Sequence, residues 1–269
     1  MSSNPIIVAF DVETTGLVAG VDRVVELAAV AFRGDEVIES FSRLVNPGVP
    51  MPPVVARITG ITAELLAGAP PPAAALPDFL GVLARGIPVA HNAVFDVAFL
   101  NDELESAGLP VPQGPVLDTR GLARRAFPGR YSYGLANLCR DLMLASPRAH
   151  RALADADTCR QLFQACVKKL GGCEPEVPDL VRLSGAPLDF GMHAPRLPRT
   201  ARLLKQAITG GTMVDICYRS AEGVLTGRKI KPLAFSVAGG NVAVVALCTL
   251  RNDTRTFFLN SITEARHSP

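Results

Sequence analysis

The sequence predicts an α/β domain followed by a small β-rich domain. Strand-like and helix-like patterns alternate through residues 1–172, which is typical of α/β folds. Residues 173–198 are rich in Gly and Pro and lack sustained periodicity, so they predict a linker. From residue 199 a short helical pattern is followed by several short apolar runs between Gly and polar turns, which indicates a strongly bent sheet or barrel.

The first predicted strand ends in two acids. Residues 5–16 read PIIVAFDVETTG, an apolar run that closes in Asp11, Val12 and Glu13 before a Thr-Thr-Gly turn. Side chains alternate along a strand, so Asp11 and Glu13 point the same way. A lone Asp-x-Glu is also consistent with an ordinary strand end followed by a polar turn.

A third acid follows a later predicted strand. Ile87–Ala90 is apolar, and His91 and Asn92 stand where this strand gives way to a helix. Asp96 lies in the first turns of that helix, where the helix dipole favours negative charge. Taken alone, Asp96 is better explained as a helix-stabilising acid.

The third stretch joins an imidazole to an acid. His150 and Asp155 are five residues apart, which is about 500° of rotation on one helix, so the two converge only if His150 precedes the helix. Ser146 and Pro147 interrupt structure before an apolar stripe that runs from Ala152 to Leu170, which supports that arrangement.

These stretches together suggest a metal-dependent site that cleaves phosphodiesters. Gathering several carboxylates in one place is unfavourable without a strongly charged ligand such as a pair of divalent cations. The candidate catalytic residues are Asp11, Glu13, Asp96, His150 and Asp155.

The order and spacing of these motifs resemble the DEDDh 3′–5′ exonucleases of the DnaQ-like group, the family of the proofreading subunit of bacterial DNA polymerase III. The resemblance runs from Pro5 to Leu170, and it includes the stretches LVNPG (44–48), ITGIT (58–62), VLDT (116–119) and YSYGLANLC (131–139). It implies an RNase H-like fold, with a central mixed β-sheet flanked by helices.

The resemblance also implies a role for each candidate residue. Asp11, Glu13, Asp96 and Asp155 are the expected ligands of two divalent ions, Mg²⁺ or Mn²⁺, and His150 is the expected general base. The product would be a nucleoside 5′-monophosphate. The expected pocket for the 3′-terminal nucleotide consists of Thr14, Thr15, Gly16, Leu17, Asn92 and Phe95, although Leu17 and Phe95 could instead be core residues.

The C-terminal part resembles a WYL domain, an SH3-like β-barrel attached to bacterial DNA-associated proteins. The stretches that match are DICYRSAEG (215–223), GRKIKPLAF (227–235) and RTFFLNSI (255–262), whereas the Trp-Tyr-Leu triplet aligns with Val242, Ala243 and Val244. A basic surface for nucleic acid would consist of Tyr218, Arg228, Lys229, Lys231 and Arg255. A scaffolding or partner-binding domain with a solvated basic face is the alternative.

Charge differs between the two parts of the chain, and the composition is that of a folded protein. Residues 1–198 contain 17 basic and 21 acidic residues, and residues 199–269 contain ten basic and four acidic ones, so the tail is the basic half. A hydrophobic content of 48% argues against general disorder. The sequence shows neither a membrane span nor a signal segment, and we expect a cytoplasmic protein without a membrane partner.

The expected substrate is single-stranded nucleic acid, DNA before RNA, in DNA repair or proofreading, with a polymerase or repair protein as the expected partner. Two alternatives remain. One is an exoribonuclease that trims RNA 3′ ends. The other is a regulatory protein that binds nucleic acid through its C-terminal domain.

Overall fold

A computed structural model describes residues 5–145, 150–171, 176–185, 188–191, 200–238, 241–250 and 252–268. The chain divides into two compact units. The first comprises Met1–Thr15 and Arg23–Ala194, and the second comprises Gly16–Asp22 and Pro195–Pro269. In the part of the chain that is described, no helix is long and apolar enough to cross a membrane.

A mixed six-stranded sheet forms the centre of the first unit, in the order β3-β2-β1-β4-β5-β6. Strands β1, β2 and β3 are antiparallel, β4 and β5 run parallel to β1, and β6 is antiparallel to β5. Their bounds are β1 Ile7–Thr14, β2 Val24–Arg33, β3 Glu36–Leu44, β4 Ile87–Ala90, β5 Pro115–Asp118 and β6 Leu188–Asp189.

Eight helices of the described residues accompany this sheet. They are α1 Pro53–Thr59, α2 Ala63–Ala67, α3 Pro72–Leu83, α4 Val94–Ala107, α5 Thr119–Ala126, α6 Leu135–Leu142, α7 Ala152–Leu170 and α8 Val177–Ser184. The predicted mixed sheet flanked by helices is therefore confirmed.

Alternation along β1 sends its side chains to two different layers. Ile7 and Ala9 are buried in one cluster with Leu122 of α5 and Leu162 of α7. Phe10 points the other way and packs edge-on against Phe79 of α3, with 6.3 Å between ring centroids. The odd-numbered side chains of β1 therefore face the layer that contains α7.

The predicted linker over residues 173–198 differs from the structure wherever the structure describes it. Residues 177–184 form α8, and Leu188 and Asp189 add a strand to the edge of the sheet. Leu180 is buried, and the buried ring of Phe190 stacks on Phe10 at 6.1 Å. These apolar contacts make residues 177–185 and 188–190 part of the first unit, despite the Gly- and Pro-rich composition of this stretch. The remainder of the predicted linker lies outside the described residues.

The second unit is built on a five-stranded antiparallel sheet in the order β10-β9-β8-β7-β11. Its elements are helix α9 Thr200–Gly210, β7 Val214–Arg219, β8 Leu225–Ala238, β9 Asn241–Cys248, β10 Asp253–Phe258, a 3-10 turn at Leu259–Ser261 and β11 Ile262–His267. Among the described residues β10 and β11 are the two edges of an open sheet, so the predicted closed SH3-like barrel is not confirmed.

Segment 16–22 is folded into this second unit. Val21 packs against its apolar core, and Lys205 of α9 forms an ion pair with the buried carboxylate of Asp22. The other oxygen of Asp22 accepts a hydrogen bond from the Val18 amide at 3.0 Å. A Cβ atom on Gly16 would lie 2.5 Å from the Asp22 carboxylate, so this position requires glycine.

Candidate active site

Three carboxylates meet where β1 ends. Asp11 and Glu13 lie on the face of β1 directed toward α7, and Asp155 lies in the first turn of α7. One oxygen of each of these three side chains lies within 4.8 Å of the others. This spacing allows a single cation to contact all three residues.

Small side chains bring α7 this close to the sheet. Ala152 and Ala156 of α7 are buried against Ala28 and Val30 of β2. Because these residues are small, the helix axis approaches the strands closely. Asp155 lies between Ala152 and Ala156 in sequence, and its carboxylate therefore lies close to the acids of β1.

Asp96 joins the cluster from α4. Its side chain is buried, and Oδ1 accepts a hydrogen bond from the backbone amide of Val12 at 3.1 Å. This bond ties Asp96 to the backbone of β1 at the residue between Asp11 and Glu13 in sequence. The structure thus brings together Asp11, Glu13 and Asp155, and it ties Asp96, the fourth predicted ligand, to the same strand end.

Burial and mutual repulsion raise the pKa of every acid in the cluster. Desolvation, followed by the charges of Asp155 and Glu26, raises the pKa of Glu13 to about 7, while Arg151 opposes the shift. Desolvation also raises the pKa of Asp96 to about 8, against the hydrogen bond from Val12. The pKa of Asp11 is raised well above its usual value by burial and then by Asp96 and Asp155. Divalent cations would remove this repulsion, so the residues present fit a metal site.

His150 stands before α7, as the sequence analysis required. It is exposed, its φ of 62° is unusual for a residue other than glycine, and its amide donates to Asp155 Oδ2 at 2.8 Å. The helix begins at Ala152, so the imidazole belongs to the approach to the helix and not to its surface. Residues 146–149, which precede it, lie outside the described residues.

The residues predicted to hold the 3′-terminal nucleotide lie in different settings. Thr14 and Thr15 are buried, and Thr15 exchanges hydrogen bonds with Arg23 through its amide and its hydroxyl. Gly16 and Leu17 belong to the second unit, where Leu17 is 51% exposed. Leu17 is therefore not a core residue there.

Asn92 and Phe95 flank the start of α4. Asn92 adopts a φ of 63°, its amide donates to Asp118 Oδ1 at 2.9 Å, and its own side-chain oxygen accepts from Arg120. Phe95 is half-buried against Phe99, with the ring centroids 4.8 Å apart. Asp118 also caps α5, because its side chain accepts a hydrogen bond from the Arg120 amide.

Sequence reasoning missed a buried ion pair beside the carboxylates. Glu26 of β2 lies opposite Glu13 in the strand register, and it accepts two hydrogen bonds from the guanidinium of Arg151 below 3.1 Å. The sequence did give a sign of a buried charge, because Glu26 stands inside the apolar run VVELAAVAF of β2. Its partner is 125 residues away and could not be read from the sequence.

The basic residues predicted as a nucleic-acid surface divide between the two faces of the second sheet. Tyr218 packs edge-on against the buried Phe257 at 5.1 Å, and Arg228 and Arg255 pair with the buried Ile216 and Ala246, so all three lie on the core face. Lys229 and Lys231 alternate with these positions on β8 and point to the opposite face, where they are exposed. The five residues therefore do not form one continuous surface.

Comparisons with known proteins agree with this architecture. Residues 8–163 match the exonuclease family, and residues 199–267 match the WYL domain. The DNA polymerase III subunit epsilon of Treponema pallidum is 40% identical over 171 residues, which cover 61% of this chain and 80% of that protein.

Two further matches concern the same region. The PolC-type DNA polymerase III of Halalkalibacterium halodurans is 37% identical over 161 residues, which are 60% of this chain but only 11% of that relative's length. A solved structure of exonuclease X in complex with 5′ overhanging duplex DNA is 26% identical, with a TM-score of 0.51, and the match covers 67% of this chain and 99% of that one. The chain therefore belongs to the exonuclease family, and a WYL domain follows its exonuclease domain.

Proposed function

We propose that this protein is a metal-dependent 3′–5′ exonuclease that releases nucleoside 5′-monophosphates from single-stranded DNA. The observation that supports this most is the gathering of Asp11, Glu13 and Asp155 within 4.8 Å, with Asp96 bonded to the same strand end. Buried acids with raised pKa values in a chain of this family are typical of functional sites. The names of the relatives, components of DNA polymerase III, favour DNA as the substrate and a polymerase as the partner.

Asp11, Glu13, Asp96 and Asp155 would hold two divalent ions, Mg²⁺ or Mn²⁺, since hard cations prefer carboxylate oxygens. When bound, the ions supply positive charge that stabilises the attacking and leaving oxygens of an in-line displacement. The acids of β1, α4 and α7 would hold these ions at the end of β1.

His150 would take the proton from the attacking water. Histidine is the side chain that proteins use most often as a general base near neutral pH. The exposure of His150 leaves the ring accessible from solvent, and the bond from its amide to Asp155 ties it to the acids. Protonated His150 would then lie close to the phosphate that it helped to cleave.

The 3′-terminal nucleotide would lie beside the turn at Thr14–Leu17. The family resemblance assigns Thr14 and Thr15 to the sugar, and the exposed Leu17 would provide an apolar contact for the base. Asn92 and Phe95, beside the start of α4, are the other residues that the resemblance assigns to nucleotide binding.

A pair of neighbouring acids on α7 provides the test. Asp155→Asn should lower Mn²⁺-dependent release of mononucleotides from 5′-labelled single-stranded DNA by at least about 10²-fold, since a single electrostatic contact to the transition state contributes roughly that much. Asp157→Asn is the matched control, because Asp157 lies on the same helix but pairs with Arg160 at 2.6 Å. Equal activity of the two variants would contradict the proposal. Faster cleavage of RNA than DNA by the wild-type protein would assign the enzyme to RNA 3′-end trimming instead.

A further inference from the structure

A fifth acid lies beside the proposed metal ligands and is not one of them. Glu26 occupies the β2 position opposite Glu13, and its side chain is only 1% exposed. A buried carboxylate beside another acid is unfavourable unless a cation and hydrogen-bond donors accompany it. The structure provides both from a single place, the start of α7.

Arg151 is the cation. Its Nη2 lies 2.7 Å from Glu26 Oε1, and its Nε lies 3.0 Å from Oε2, so the guanidinium meets the carboxylate with two parallel hydrogen bonds. This two-point contact fixes the direction of the arginine as well as its distance. Arg151 is the residue that directly follows His150.

Glu26 also caps the N-terminus of α7 from the neighbouring strand β2. The amide of Ala152, the first residue of the helix, donates to Glu26 Oε2 at 3.0 Å, and the N-cap residue Arg151 makes no side-chain cap of its own. A carboxylate at this end of a 19-residue helix is also favoured by the helix dipole. The strand acid thus holds both the side chain of Arg151 and the backbone that follows it.

His150 lies between two fixed points. Its amide is bonded to Asp155 Oδ2, and the next residue is held by Glu26. Its φ of 62° lies in the left-handed region, which residues other than glycine adopt uncommonly. The bonds of Asp155 and Glu26 on either side of His150 restrain that backbone.

We propose that Glu26 and Arg151 are positioning residues, which hold His150 in the backbone conformation that it needs to act as the general base. This inference rests on the proposed function of His150. The ion pair contributes to the reaction through the imidazole, without contact with the nucleic acid.

The first unit contains a second ion pair of the same kind, which serves as a control. Arg23 meets Glu103 through Nη2 at 2.7 Å, and the amide of Val24 donates to Glu103 at 3.1 Å. In both pairs the arginine side chain is 30% exposed and the glutamate side chain is 1% exposed. Glu103→Gln and Glu26→Gln therefore remove the same charge from equivalent contacts.

The test measures kcat and KM for 5′-labelled single-stranded DNA with the full chain. Glu26→Gln should lower kcat by about tenfold with little change in KM, a part of the roughly 10²–10⁴-fold contribution of a general base. Both variants should lower the unfolding temperature by similar amounts. Glu103→Gln should nevertheless keep kcat within about twofold of the wild-type value. Equal losses of kcat in the two variants would overturn the inference.

A double-mutant cycle with His150→Ala separates positioning from stability. If Glu26 acts through His150, Glu26→Gln should change kcat by less than about twofold once the imidazole is gone. A further tenfold loss in that background would overturn the inference, because Glu26 would then act by another route. Wild-type activity of His150→Ala alone would contradict the proposed role of His150, a failure that the single variant reveals independently of Glu26.

Discussion

The charged residues at the end of β1 and those on the second sheet differ in burial, and burial decides how much each set reveals. Asp11 and Asp96 are held in or beside a buried strand with raised pKa values, and little other than a cation explains their grouping. Lys229 and Lys231 are exposed on β8, where water solvates them at no cost. A buried group of like charges therefore indicates a ligand, whereas an exposed group only permits one.

The largest expected effect comes from removing the acid at the centre of the cluster. Asp11→Asn should reduce exonuclease activity by at least about 10³-fold, because Asp11 would contact both ions. The same change should raise the unfolding temperature in EDTA, since it removes a buried like charge. Activity assays and thermal unfolding measure the two effects. A variant that loses activity because it fails to fold would show a lower unfolding temperature.

The pH dependence of stability should be unusual in the metal-free protein. The pKa of Glu13 rises from 4.5 to about 7 and that of Asp96 from 3.8 to about 8, so the folded state binds these protons more tightly than the unfolded chain does. Stability contributed by these groups is therefore highest below pH 4 and falls as pH rises toward 8.

Thermal unfolding in EDTA checks this sign. We expect a lower unfolding temperature at about pH 8.5 than at about pH 5, and Mn²⁺ should restore the loss at the higher pH. Asp96→Asn should show a smaller decrease between the two conditions. If the metal-free protein were equally stable at both, the carboxyls would not have raised pKa values.

The smallest expected effect concerns the second sheet. Changing Lys229 and Lys231 to alanine should weaken binding of single-stranded DNA only modestly and reduce the salt dependence of log Kd by about 1.4, if each lysine contacts one phosphate. Arg255→Ala, on the core face of the same sheet, is the control. Salt titrations of binding would separate the two faces, and equal effects would indicate a surface that wraps around the edge strand.

The same contrast explains what could be predicted from the sequence. The apolar run before Asp11 predicts a buried strand because it is continuous, and alternation then places Glu13 on the same side. The interruption before Ala152 predicts correctly that His150 precedes α7. Local pattern was sufficient for these elements, which together contain most of the proposed site.

The misses involve contacts between residues that are distant in sequence. Residues 177–185 and 188–190 lie in a Gly- and Pro-rich stretch, and tertiary contacts such as the packing of Phe190 on Phe10 assign them to the first unit. The bidentate pair of Glu26 and Arg151 also depends on the tertiary fold. Lys229 and Arg228 lie on opposite faces of the second sheet, because neighbouring residues on a strand point to opposite sides.

Binding of Mn²⁺ to the full chain tests the central claim most directly. Isothermal titration calorimetry of wild-type protein at about pH 8 should show two Mn²⁺ ions with release of protons, because raised carboxyl pKa values leave protons to be displaced. Asp11→Asn should lose this binding, and Asp157→Asn should keep it. Absence of Mn²⁺ binding by the wild-type protein, or unchanged binding by Asp11→Asn, would contradict the account.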